Sequence, residues 1–140
     1  LKDIEIKGDT GNLFIPKRSS KMERTVPLNK AAVEAIKNYI ENGRPKIENA
    51  VDNLFITKTG KPMLIRNIRS TIDRFFRIAG IEKAKVNDLR HTFVAHHLEN
   101  GVSVSYLAKV AGHKRESTTE KYLEYISKPE KMDKTELGIL

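Results

Sequence analysis

An α+β fold, mostly helical, with a small N-terminal antiparallel sheet packed on a helical bundle, is predicted by three features of this sequence. Short apolar runs broken by Gly and Pro fill the first 28 residues, while helical apolar spacing with Asn and Gly stop signals recurs beyond them. With 39% apolar residues, 140 residues suffice for one domain with a true core. No run approaches the ~20 apolar residues of a membrane span.

The elements follow in order. Leu1 to Lys7 alternates into a strand ending at Gly8, a turn is expected over Gly8–Asn12, and Leu13–Ile15 resumes the extended run. Pro16 to Ser20 interrupts it, and Arg24–Leu28 forms a third strand whose Pro27 belongs at a sheet edge. Asn29 can cap a helix with Val33, Ile36 and Ile40 on one side, stopped by Asn42-Gly43. A polar connection follows, then a short strand or extended segment at Leu54–Thr57 and a turn over Lys58–Lys61. Ile65, Ile68, Ile72, Phe75, Phe76 and Ala79 make one face of a long helix closed by Gly80. A helix over Asp88–Glu99 turns Leu89, Phe93, Val94 and Leu98 inward, with Asn100-Gly101 as its C-cap. Ser103–Ala111 is another, closed by Gly112, and Ser117-Thr-Thr-Glu120 reads as a capping box opening a helix through Tyr125. Residues 128–140 lose the pattern and are expected to form a tail.

Charge and composition narrow the function. Lys and Arg number 26 against 18 Asp and Glu, a net charge of +8 that suits a polyanionic partner. Nine basic and only three acidic residues lie between Lys58 and Arg90, a density that can follow a phosphate backbone or merely solvate a helix. The absence of Cys excludes disulfides, Cys-ligated zinc and thiol chemistry, and fits a reducing compartment. There is no P-loop, no dinucleotide fingerprint and no serine elbow, so nucleotide and acyl-transfer chemistry lack support. His91, His96 and His97 are five and six residues apart rather than four, which argues against a helical metal site. His113 differs: it follows a helix-ending glycine in a loop aimed at the next helix.

Around His113 the sequence becomes specific. Asp88-Leu-Arg-His-Thr-Phe93, Leu98-Glu-Asn-Gly101, Ala111-Gly-His113 and Ser117-Thr-Thr-Glu-Lys-Tyr122 resemble the C-terminal motif block of tyrosine recombinases, the phage-integrase family. The intervals agree, with 23 residues from Arg90 to His113 and nine from His113 to Tyr122. Ile15-Pro-Lys-Arg-Ser-Ser-Lys-Met-Glu-Arg-Thr-Val-Pro-Leu28 is similar to the family's β-hairpin, a weaker match. The resemblance covers about residues 1–126 and implies the tyrosine recombinase catalytic-domain fold.

It also implies a reaction: a tyrosine oxygen attacks a phosphodiester, forms a 3′-phosphotyrosyl link, releases a 5′-hydroxyl, and later rejoins the strand without metal, ATP or other cofactor. Tyr122 would be the nucleophile, selected over Tyr125 by the Thr-Thr-x-x-Tyr spacing. Arg90 would brace a non-bridging oxygen, and His113 would assist at the same phosphate as hydrogen-bond donor or acid/base. Lys17 would protonate the leaving 5′-oxygen, with Lys21 as its rival. Asn87 stands where the family usually has histidine; it can hydrogen-bond a phosphate oxygen but cannot exchange a proton near neutral pH. Lys21, Arg66, Arg69, Lys114 and Arg115 are candidate DNA contacts.

The family's first catalytic arginine lies upstream of the hairpin, and no arginine precedes Arg18 here. The chain, which does not begin with Met, is therefore expected to be an N-terminally truncated catalytic domain, residues 1–140. Alone it should cleave weakly, about 10²–10³-fold below the complete set of groups. By resemblance the partner is double-stranded DNA, the full-length assembly a homotetramer on DNA, and the location cytoplasmic. Membranes and nucleotides are not expected partners. The alternatives are a non-enzymatic DNA-binding module, since Ser103–Ala111 and Ser117–Tyr125 could form a helix-turn-helix, or a degenerate recombinase relative acting as a regulator.

Overall fold

Alternation of apolar and polar residues at the N-terminus produces three strands, β1 (Ile4–Lys7), β2 (Thr10–Ile15) and β3 (Arg24–Leu28), paired antiparallel in that order. The first turn is tighter than expected. Lys7 pairs with Thr10, so Gly8-Asp9 alone makes the connection, and Gly8 supplies the left-handed backbone (φ 62°) that such a hairpin needs. Pro27 sits on an edge strand, where no ladder donor is required. Cross-strand partners share a face, so Ile4, Leu13, Ile15, Val26 and Leu28 line one side of the sheet together with Arg24.

In this computed structural model residues 1–17 and 22–126 are described; Lys21 and the expected tail at 128–140 lie outside them. The helices are α1 (Lys30–Asn38), α2 (Ile65–Ile78), α3 (Val86–Glu99), α4 (Val104–Ala111) and α5 (Ser117–Glu120). Asn29 caps α1 through its side-chain oxygen, which accepts from the Ala32 amide at 2.9 Å. The chain then widens into a π-type turn over Tyr39–Gly43. The fold is thus the predicted α+β arrangement with helices in the majority.

The chain divides into two compact units, with boundaries inside α1 and α3. One comprises Leu1–Lys2 and Ala35–Leu89; the other comprises Asp3–Glu34 and the chain from Arg90 onwards. In the first, Leu54–Thr57 contributes only an isolated bridge between Ile56 and Pro62 rather than a strand. Arg44 organises the preceding loop by donating to the carbonyls of Val51, Asn53 and Leu54. Ile68, Ile72 and Phe76 of α2 are half-buried, but Ile65 and Phe75 of the same stripe are exposed. Asp88 accepts from the Lys85 amide at 2.6 Å, a local bond that starts α3 at Val86, two residues earlier than expected; Leu89 is exposed rather than inward.

The second unit holds the main core: Val94 and Leu98 from α3, Val102, Leu107 and Ala111 from α4 and its approach, and Ile126. Ser103 caps α4 by accepting from the Tyr106 amide, and the sheet packs on α4 through β3. Apolar on most sides, α4 is central because it is covered by the sheet as well as by the helical core. The expected capping box at Ser117 does not form. Glu116 is already helical (φ −60°, ψ −34°), so Ser117 lies inside the helix, where its side chain cannot cap. After one α turn the chain tightens into a 3₁₀ segment, Lys121–Glu124, which carries Tyr122.

Among the described residues no helix is long and apolar enough to cross a membrane. Leu107 is fully buried at the centre of the core. Leu107→Ala is expected to lower unfolding stability by about 2–5 kcal/mol, read as a reduced urea midpoint. A loss below ~1 kcal/mol would mean the core collapses around the gap.

Candidate active site

The site is built at the C-terminal end of α4, where unpaired helix carbonyls concentrate negative charge. Two arginines answer it. Arg24, from β3, donates through Nε to the Val110 carbonyl at 3.1 Å, and Arg90, from α3, donates through Nη2 to the carbonyl of Ala111. Burial, and then the positive charge of Arg90, pull the Arg24 guanidinium below its ordinary pKa, yet an arginine stays charged. Two like charges are tolerated side by side because both rest on the negative end of one helix.

Gly112 then turns the chain through a left-handed conformation (φ 70°, ψ 40°). A Cβ there would lie 2.7 Å from the guanidinium carbon of Arg24, so glycine suits the dihedral angles and any larger residue would push the Arg24 guanidinium aside. The turn delivers His113, whose Nδ1 is 2.7 Å from the hydroxyl of Thr119, itself fully buried on α5. Burial lowers the His113 pKa, and the charges of Arg90, His91 and Arg24 lower it further. A neutral ring results at neutral pH. If Thr119 donates to Nδ1, the remaining proton is on Nε2, free to donate to an anion.

Tyr122 completes the group. Its ring stands 6.3 Å from that of His113, nearly parallel at 11°, and 5.7 Å from that of His91, tilted by 32°. Its hydroxyl is hydrogen-bonded to His91 Nδ1. Tyr125, by contrast, is 81% exposed. A cleft of about 310 Å³ opens beside His113, with Arg24, Lys109 and Lys114 and the single carboxylate of Glu23 in its wall, a net positive lining.

Of the residues singled out in the sequence, Tyr122, Arg90 and His113 therefore come together in the second unit. Lys17 belongs to the same unit, exposed just beyond β2. Lys114 and Arg115 are exposed in the loop before α5. Arg66 and Arg69 are exposed on α2 and Asn87 is exposed at the start of α3, all three in the first unit. Lys21 lies outside the described residues.

Two members of the group, Arg24 and His91, are absent from the sequence-based set. Arg24 had a visible signal: it shares the strand parity of Val26 and Leu28, and a charge on an apolar face needs a partner. His91 lies within the Asp88–Phe93 motif, but its contact is with a residue 31 positions away and only the fold joins them.

The family model described as "Phage integrase family" matches residues 1–127. The chain belongs to the phage integrase family. Among curated relatives, tyrosine recombinase XerC of Halalkalibacterium halodurans is 33% identical over 129 residues, covering 87% of this chain and 42% of that protein. Tyrosine recombinase XerD of Staphylococcus saprophyticus is 36% identical over 103 residues, covering 71% and 35%. This integrase-family chain thus spans less than half the length of those relatives. Among solved structures, XerA recombinase superposes with a TM-score of 0.74 at 25% identity over 87% of this chain and 44% of that one. XerH site-specific recombinase, in a post-cleavage complex with its palindromic difH substrate, gives 0.73 at 22% identity over 89% and 36%. These likenesses establish the recombinase catalytic-domain fold.

Two expectations follow. As pH falls, the unfolded chain takes up the His113 proton before the folded chain does. Stability from neutral His113 is present above about pH 6.5 and is lost as pH drops through the lower folded value. His113→Gln should flatten the acid side of a plot of urea midpoint against pH; an unchanged slope would exclude the effect. Gly112→Ala should cost at least ~1–2 kcal/mol in the same measurement. Part of that loss should disappear in an Arg24→Ala background, and strict additivity of the two would show that the close approach is immaterial.

Proposed function

We propose that this chain is the catalytic portion, residues 1–140, of a site-specific DNA recombinase or integrase that breaks and rejoins strands through a 3′-phosphotyrosyl intermediate. The observation that carries the reading is the convergence of Arg90, His113 and Tyr122 at the end of α4. A half-buried tyrosine beside a fixed guanidinium and a neutral imidazole has what a phosphodiester substitution needs: a nucleophile and donors for the equatorial oxygens.

In the proposed reaction Tyr122 Oη attacks phosphorus and displaces the 5′-oxygen in line. Arg90 and the Nε2–H of His113 stabilise the charge that builds on the non-bridging oxygens. Lys17 protonates the leaving oxygen, which would otherwise depart as a strongly basic alkoxide. The phosphotyrosyl ester preserves the energy of the broken bond, so resealing needs no nucleotide. Asn87 contributes at most a hydrogen bond to the phosphate. Arg66, Arg69, Lys114, Arg115 and Lys21 neutralise the flanking backbone, consistent with the net charge of +8. The full-length protein acts as a homotetramer on two duplexes, in the cytoplasm.

Covalent capture tests the proposal. Full-length protein is incubated with a library of duplex genomic fragments, and protein–DNA adducts that survive denaturation are isolated. Wild type should form them, Tyr122→Phe should form none while still binding DNA, and Lys17→Ala should lower the yield by about 10²–10⁴-fold. Equal behaviour of Tyr122→Phe and wild type would instead identify a non-enzymatic DNA-binding module.

A further inference from the structure

A phenol attacks phosphorus poorly while it keeps its proton, because its ordinary pKa is near 10. If Tyr122 is the nucleophile, as proposed above and on which this inference rests, a base must touch its hydroxyl. The polar groups around it differ sharply in what they can do. Arg90 is a permanent cation already donating to Ala111. His113 has Nδ1 engaged by Thr119 and its ring nearly parallel to the phenol, a posture for donating to a phosphate. Lys17 is needed at the departing oxygen, and the amide of Asn87 takes no proton near neutral pH. His91 alone among these has a ring nitrogen on the tyrosine oxygen itself.

The placement follows from helix geometry. Successive residues of a helix point about 100° apart, so α3 sends Arg90 to the end of α4 and His91 to the neighbouring 3₁₀ segment. The His91 side chain is exposed, which lets a captured proton pass to water.

We propose that His91 is the general base of strand cleavage, taking the Tyr122 proton on Nδ1 as the phenol oxygen attacks phosphorus. The ring proton then resides on Nε2, and in the resting site the tyrosine hydroxyl donates to Nδ1. As the Tyr122 O–H bond breaks, its electron pair forms the new P–O bond. The P–O5′ bond breaks, its pair stays on the 5′-oxygen, and that oxygen takes a proton from Lys17. His91 ends the step as imidazolium and Lys17 as a neutral amine, so charge is conserved. Resealing runs the same transfers backwards, with His91 returning its proton to the departing tyrosinate.

The groups facing His91 are Tyr122 from the 3₁₀ segment, His113 from the loop after α4, and Arg90 beside it on α3. A base at this position is separable from a merely structural contact by three readouts on full-length protein. The substrate is a nicked duplex carrying the site recovered by covalent capture. His91→Gln should keep DNA affinity and lose about 10²–10⁴-fold in cleavage rate. His91→Ala should regain cleavage when free imidazole is added, since the exposed position admits a small base. Replacing the bridging 5′-oxygen by sulfur, whose thiolate leaves without a proton, should rescue Lys17→Ala and leave His91→Gln slow.

The outcomes separate the two proposals. Adduct formation by Tyr122→Phe would remove the recombinase reading itself. If Tyr122→Phe is dead while His91→Gln cleaves within about 3-fold of wild type, only the role of His91 falls. A slow His91→Ala variant that added imidazole does not restore also overturns it.

Discussion

Everything at this site hangs on the C-terminal carbonyls of α4. An eight-residue helix cannot satisfy its own last acceptors, and the chain leaves at once through Gly112, so side chains from elsewhere must do so. Arg24 and Arg90 perform that task from a strand and a helix, and in doing so tie sheet, α3 and α4 together. The same contacts concentrate positive charge where an anion would bind. Structural and chemical demands are met by one pair of hydrogen bonds, and neither arginine could be replaced by lysine without losing the fork that spans both roles.

From this anchor the rest of the group follows by short steps. Gly112 turns the chain, His113 is held by the buried Thr119, and the 3₁₀ segment brings Tyr122 against two imidazoles. The pair of histidines faces one phenol with different obligations: His113 is held neutral by burial and by nearby cations, while His91 holds the hydroxyl. Division of labour between two chemically identical side chains is set by their environments alone.

Much of this was legible in the sequence, for reasons that differ by element. The strands, the cap at Asn29 and the stop at Gly112 are local, and local patterns report them well. The misread boundaries have separate local causes. Ser117 failed as a cap because the preceding backbone is already helical, and α3 began early because Asp88 accepts from the Lys85 amide. Arg90, His113 and Tyr122 were legible because the family's motifs mark them. Arg24 and His91 are bound to partners 86 and 31 residues away, so only the folded chain reveals what they do.

The Arg24–Val110 bond also bears on how the protein is made. It joins the third strand to the fourth helix across 86 residues, so it cannot form until both have emerged and docked. A growing chain on the ribosome holds its first strands long before α4 exists, and Tyr122 arrives later still. No partly synthesised or half-folded molecule therefore carries the assembled group of Arg24, Arg90, His113 and Tyr122.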